Sequence, residues 1–290
     1  MKISKMKKTK SISQEKKPAE SRSAERRCKL SVCVFVNNEE QIIDRCLKSF
    51  YDIAGEIIVI NDGPCSDNSL KIARKYTKKV FARPFGGTCE AHFSFAVKKA
   101  KNEWIMFVDA DEYFSKELHE HICELTQQRD VDCYEIYWPT FHNDGKNDRQ
   151  LTLGLEKKFY KRVLFRKSKT RFEGYLHEKR KVDGIVKKCD YALIHRPNAD
   201  IFGKEYLKKK AKWASVAAKM LAQRPLPHGK YYYLLKAPVW FVFYLVYSLI
   251  FRMYFLSGIV GIRYAWMYAC YNFNLNINLY KIKRDENCYR

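Results

Sequence analysis

The chain has 290 residues, 47% of them apolar, with 55 Lys and Arg against 32 Asp and Glu for a formal charge of +23. That length allows a sizeable buried core, as one large domain or one domain with an appendage. Its ten cysteines include no Cys-x-x-Cys pair and no attendant His cluster. This argues against a zinc site or a disulfide framework and suits a reducing cytoplasm, with Cys33, Cys46, Cys123 and Cys133 serving as small apolar side chains.

The charge is unevenly spread: net +8 over 1–29, −6 over 30–148, +13 over 149–212 and +8 over 213–290. The acidic segment suits carboxylate chemistry. The basic half implies an anionic counterpart: a phosphorylated acceptor, an anionic membrane or nucleic acid. Residues 1–29 contain no apolar run, so they read as a disordered basic tail rather than a signal peptide, with a transit peptide as the weaker option.

Leu30–Val36 is a β-branched apolar run, a first strand ending in the polar Asn37-Asn38-Glu39-Glu40. Ile42, Ile43, Cys46, Leu47 and Phe50 then recur at helical spacing. Glu56–Ile60 predicts a second strand, closed by the turn-rich Asn61–Asp67 and a helix to about Tyr76. Val80–Ala82 is a short third strand, followed by Gly86-Gly87 and a helix from about Cys89 to Ala100. Trp104–Val108 reads as a strand buried on both faces, and it stops at Asp109-Ala110-Asp111-Glu112. An unpaired buried carboxylate is costly, so that cluster needs water, a cation or donor groups around it. The plainer alternative is an acidic turn before a helix that starts near Ser115.

Strand and helix alternate four times, which predicts an α/β, doubly wound, mostly parallel sheet. In such sheets ligands bind beyond the carboxyl ends of the strands, where the polar residues here collect. No Gly-x-Gly-x-x-Gly follows the first strand and no Walker-type loop occurs, so phosphates would be met by a cation rather than a glycine nest.

Beyond Gln127 the pattern changes. Cys133–Thr140 and Phe159–Arg166 read as strands joined by a polar loop at Asn143–Gln150. A basic, turn-rich stretch from Lys169 to Glu178 follows, then a strand over Tyr191–Ile194 ending at His195. A strongly basic helix is expected from about Asp200 to Gln223. Residues 231–271 are apolar and aromatic, broken by Lys236, Arg252 and Arg263. The 15 uncharged residues from Ala237 to Phe251 fall short of the ~20 that a spanning helix needs. Arg252 and Arg263 would share one face of a helix, with Gly258 and Gly261 as potential breaks. This favours a helix lying in the membrane interface, next to a basic helix attracted to anionic lipid. A buried helical hairpin and a transmembrane helix near 231–251 are the alternatives.

Ser31–Glu40, Glu56–Ser69 and Trp104–Glu112, in this order and spacing, resemble the inverting glycosyltransferases of family 2, with the GT-A fold. The whole of 30–280 resembles the lipopolysaccharide-core glucosyltransferase branch, whose later hallmarks match Glu173–Glu178, ending in His-Glu, and the strand-end His195. The resemblance implies a GT-A domain over 30–198, divided into a nucleotide-sugar half (30–128) and an acceptor half (129–198). A helical membrane-associating extension over 199–280 and a tail over 281–290 complete the chain.

The resemblance further implies that Asn38 and Glu39 lie near the nucleotide and Asp62 by the base or ribose. Asp109 and Asp111 would be the Asp-x-Asp pair for donor and metal, Mg²⁺ or Mn²⁺, with Asp111 the better candidate for direct contact. His195 is a further candidate ligand of metal or diphosphate, against a simply packed strand-end His. Two departures stand out: Asn61-Asp62 replaces an acidic pair, and Phe93-Ser94 replaces Arg-Asn.

A nucleoside diphosphate leaving group gathers negative charge that a metal on Asp111 would offset. Glu178 is the candidate base for the acceptor hydroxyl, with Glu173 and Asp183 as alternates and a surface Glu paired with Lys179 or Arg180 as the plainer reading. The expected partners are a nucleotide-diphosphate sugar, a lipid-linked or saccharide acceptor and an anionic membrane surface on the cytoplasmic side. Two other classes are a basic nucleic-acid-binding protein, for which no module is visible, and a catalytically inactive glycosyltransferase-like scaffold.

Overall fold

The computed structural model describes residues 27–143, 148–155, 158–172, 180–197, 203–223 and 225–286. Strands β1 (Cys28–Val36), β2 (Ala54–Asp62), β3 (Val80–Arg83) and β4 (Trp104–Asp109) alternate with helices α1 (Ile43–Lys48), α2 (Ser69–Ala73) and α3 (Phe93–Lys99). After β5 (Glu112–Phe114) comes α4 (Lys116–Gln127), capped by Ser115, whose Oγ accepts from the Leu118 N–H at 3.2 Å. Strands β6 (Cys133–Tyr137), β7 (Phe141–Asn143), β8 (Asp148–Gln150), β9 (Tyr160–Arg166), β10 (Thr170–Arg171), β11 (Lys181–Val182) and β12 (Val186–His195) follow. The chain then turns helical: α5 (Lys204–Leu221), α6 (Lys230–Val246) and α7 (Gly258–Glu286).

Eight strands form one sheet in the order β3-β2-β1-β4-β9-β6-β12-β5. β3, β2, β1 and β4 are parallel to one another, as are β6 and β12, and only β9 and β5 run against the rest. This is the expected mostly parallel α/β sheet, followed by a C-terminal helical extension. The apolar runs explain it, because both faces of the central strands are covered. Along β1 and β4 the residues alternate between layers. Val32, Val34, Met106 and Val108 pack with Ile43, Leu47, Leu118 and Ile122 on one side. Cys33, Phe35, Ile105 and Phe107 pack with Phe93 and Ala96 on the other.

Several expectations are corrected. The plainer alternative, an acidic turn, holds only for Ala110-Asp111, because Glu112–Phe114 is an edge strand, antiparallel to β12 with His195 opposite Glu112. The expected polar loop at Asn143–Gln150 contributes to a hairpin in which Phe141 faces Gln150. β12 begins at Val186 rather than Tyr191, its polar outer residues having masked the strand. Cys123 is not a free thiol, since it is disulfide-bonded to Cys28 at a Cα–Cα distance of 5.1 Å.

α6 and α7 form an antiparallel hairpin: Tyr233 clusters with Leu279, while Phe241 meets Trp266 at 5.1 Å and Tyr244 meets Tyr268 at 5.0 Å. Between them the chain reverses through a π-helical turn (Tyr247–Phe251), a left-handed Met253 (φ 53°) and Gly258 (φ 59°). Arg252 and Arg263 therefore do not share a helix. The reversal is tied to the sheet domain at Gly154, whose N–H donates to Ser257 Oγ at 2.9 Å. A Cβ on Gly154 would stand 2.0 Å from the Arg252 carbonyl, at a φ of +59°. The helix and its continuation over Lys230–Phe251 are long and apolar enough to cross a membrane, by length and composition, yet only 11% of that apolar window is buried.

Candidate active site

The parallel register brings the polar strand ends to one edge of the sheet: Phe35 lies opposite Asp109, Val36 opposite Asn61, and Asp62 opposite Arg83. The loops after β1 and β2 are stitched together there. Asn38 takes a left-handed conformation (φ 54°), which Asn tolerates better than most residues. Its Oδ1 accepts from the Ser66 N–H at 2.8 Å and from Ser66 Oγ at 3.2 Å. The Glu40 N–H donates to Asp67 Oδ2 at 3.0 Å, and Glu40 Oε2 accepts from the Asn68 N–H at 2.8 Å. Asp62 Oδ1 lies 2.8 Å from His92 Nε2 and accepts from the Gly86 N–H at 2.5 Å, so it fixes the Gly86-Gly87 turn.

At the centre stand the acids after β4, which take three different environments. Glu112 is wholly buried (0% exposed). Its Oε1 accepts from Lys161 Nζ at 2.5 Å and Trp138 Nε1 at 2.6 Å, and its Oε2 from the Asp109 N–H at 2.9 Å. Burial raises its carboxyl pKa despite the pull of Lys161. Asp109 Oδ2 also accepts from Lys161 Nζ, at 2.7 Å. Burial alone would lower the Lys161 pKa, but Asp109 and Glu112 together hold it above the usual lysine value. Lys161 thus bridges the two acids from β9, as a buried charge requires.

Asp111 is held from the β12 side. Its Oδ2 lies 3.2 Å from His195 Nε2, and the Arg196 N–H donates to its carbonyl at 2.8 Å. His195 Nδ1 lies 3.0 Å from Thr140 Oγ1, and its ring stacks on Trp138 with centroids 4.5 Å apart. Both ring nitrogens are therefore engaged. Burial works to raise the Asp111 pKa, but the hydrogen bond and charge of His195, with Lys161 and Lys209, keep it below the ordinary carboxylate value. Glu39 behaves oppositely: burial, reinforced by Asp111 and Asp109 over the pull of Lys209, lifts it to about 8.

The structure thus brings Glu39, Asp109 and Asp111 together, with Asp62 on the neighbouring loop, while Asn38 braces that loop from within. Glu173 and Glu178 lie outside the described residues. Asp183, the other alternate base, sits in the β11–β12 turn, where its N–H donates to the Lys169 carbonyl at 2.8 Å. Among the described residues no group of three or more His, Cys, Asp or Glu side chains converges as a metal cage. A Mg²⁺ or Mn²⁺ site of one or two carboxylates completed by water and substrate phosphates is of a different kind. Asp111, ionised and flanked by Asp109, fits it. Lys161, Trp138 and Thr140 escaped the sequence reading. Lys161 left a signal, because a lysine inside an apolar strand needs a buried acid beside it.

Residues 31–183 match the family model described as glycosyl transferase family 2. An uncharacterized glycosyltransferase of Rickettsia bellii is 36% identical over 109 residues, 38% of this chain and 36% of that one. The poly(ribitol-phosphate) beta-glucosyltransferase of Bacillus spizizenii is 36% identical over 100 residues, 31% of this chain and 16% of its own. The chain thus spans about a third or less of the length of these relatives. Among solved structures, S. aureus TarS 1–349 in complex with UDP-GlcNAc is similar with a TM-score of 0.43 and 15% identity, over 90% of this chain and 92% of that one. Glucosyl-3-phosphoglycerate synthase from Mycobacterium tuberculosis, with Mn²⁺ and UDP-glucose, is similar with a TM-score of 0.40 and 16% identity, over 71% and 82%. With the family model covering more than half of its residues, this chain belongs to glycosyl transferase family 2.

Proposed function

We propose that the protein is a metal-dependent, inverting glycosyltransferase that moves a sugar from a nucleoside diphosphate donor to a lipid-linked or lipopolysaccharide-core acceptor at the cytoplasmic face of a membrane. The observation that carries this reading is the convergence of Glu39, Asp62, Asp109 and Asp111 at one end of a parallel sheet, with Asp111 kept ionised by His195. Asp62 and Glu39 would position the nucleotide. Asp109 and Asp111 would hold Mg²⁺ or Mn²⁺, which when bound offsets charge on the leaving diphosphate. His195 is the neighbour that steadies Asp111, and it would contact the same ion only by giving up its bond to that carboxylate. Glu178, in the acceptor half, is the proposed base for the attacking hydroxyl.

The membrane part of the proposal rests on the hairpin. Leu235, Val239, Val242, Phe251 and Ile259 are exposed on it, Phe251 at 75%. So much bare apolar surface on one helical pair suits an interfacial seat. The basic α5 nearby would add attraction to anionic headgroups.

Asp111→Ala should lower sugar transfer by at least about 100-fold while leaving the thermal unfolding midpoint close to that of the parent. Near-parental turnover in a Mn²⁺-supplemented assay would remove this site from the reaction.

A further inference from the structure

α5 is the most basic helix among the described residues, and anionic lipid would not face all of it. One face of α5 lies across the donor half instead. Val216 packs on the glycine turn: a Cβ on Gly87 would stand 3.1 Å from a Val216 methyl, at a φ of +81°. The Lys212 ammonium lies 4.7 Å over the Phe85 ring, and Phe85 is 3.0 Å from where a Cβ on Gly63 would be. Tyr206, nearly two turns before Lys212 on the same helix, is half-buried. Tyr206, Lys209, Lys212 and Val216 recur at three- and four-residue spacing, which places them along one side of a helix.

Lys209 occupies the middle of that side. It is exposed, and its ammonium lies 5.2 Å over the Trp213 ring. It shares a side of α5 with Val216, which seats the helix on the Gly86-Gly87 turn that Asp62 fixes, and its charge reaches Glu39 and draws that carboxyl downward. Among the described residues it forms no ion pair. The other lysine of the site, Lys161, is already bound to Asp109 and Glu112. Of these two, Lys209 alone faces the acids while keeping its donors for something else.

Resting on the glycosyltransferase reading, we infer that Lys209 is the protein's own cation for the diphosphate of the nucleotide donor, reaching it from the α5 side of the cleft. An ammonium on a four-carbon stem is a mobile point charge with three donors, suited to phosphate oxygens. A leaving diphosphate carries charge beyond what one divalent ion neutralises, and the remaining acids around it would repel it. A second cation meets that need, and α5 supplies it without contacting the base or sugar.

The test uses the full-length protein and calorimetric titration with UDP, GDP, CDP and ADP in the presence of Mn²⁺. The tightest nucleoside diphosphate is then compared with its monophosphate. Lys209→Ala should weaken the diphosphate about 10- to 100-fold and the monophosphate by less than about 3-fold, whereas Lys209→Arg should stay within about 3-fold of the parent for both. Lys212→Ala should change diphosphate affinity by no more than about 3-fold. Unchanged diphosphate affinity in Lys209→Ala, or an equal loss for mono- and diphosphate, overturns the assignment of Lys209 and leaves the enzyme reading standing. A parent protein that binds none of the four nucleotides overturns both. Far-UV circular dichroism establishes that the variants fold, as expected for an exposed side chain.

Discussion

Glu39 and Asp111 are neighbours in one site with opposite titration behaviour, and this difference has a consequence for stability. Asp111 owes its ionised state to His195, while burial beside Asp109 and Asp111 leaves Glu39 with a raised pKa of about 8. A carboxyl with a raised folded pKa is neutral in the folded protein while the unfolded chain is already ionised. Metal-free protein should therefore lose stability as pH climbs from about 4.5 to about 8, with the penalty complete above that. Glu39→Gln removes the effect: it should match the parent near pH 5 and exceed it by about 1–3 kcal/mol at pH 8.5 in EDTA. Parallel stability–pH curves from urea unfolding would contradict the proposed burial of this carboxyl. The sequence made Asp109, Asp111 and Glu39 legible because acids at successive strand ends are conspicuous. It hid their partners: Lys161 comes from β9, and Trp138 and Thr140 from the segment after β6, strands whose places in the sheet, β9 beside β4 and β6 beyond it, no local pattern reveals.

At the scale of elements, the legible parts were those with a strong period. β1 to β4, the helices between them and α4 with its Ser115 cap follow from apolar repeats and turn residues. The edge strand β5 was lost because three residues carry no period, and the β7–β8 hairpin because its strands are short and polar. The α6–α7 reversal was legible in part, as a break at Gly258, while the left-handed Met253 that precedes it left no signal. That reversal leaves an apolar face in water, and the proposal gives it to lipid. Replacing Val239, Val242 and Phe251, all more than half exposed, by Asp should cut partition into phosphatidylglycerol-containing vesicles at least about 10-fold. The fold should survive, since none of the three belongs to the core. Sedimentation with vesicles reads this directly, and unchanged partition would move the anchor elsewhere.

Across the whole molecule the charge runs from a net-acidic stretch over 30–148 to basic segments beyond it. The fold turns this gradient along the chain into a juxtaposition in space: α5 comes back over the first half of the sheet, so that Lys212 lies over Phe85 and the charge of Lys209 reaches Glu39, from which both are distant in sequence. An overall charge of +23 therefore needs no nucleic acid to explain it, since on the proposed function α5 would bring basic charge to a site of acids and phosphates. On the proposed function, this site transfers a sugar from a nucleotide donor. The most direct measurement of that transfer incubates the full-length protein with a panel of radiolabelled sugar nucleotides, Mn²⁺ and total membrane lipid, and follows nucleoside diphosphate release and label in the lipid fraction together. At least one donor should be consumed, with about one sugar transferred to lipid for each diphosphate released, and both signals should vanish with EDTA. Consumption of no donor, or release of diphosphate that EDTA leaves untouched, would contradict the proposed function.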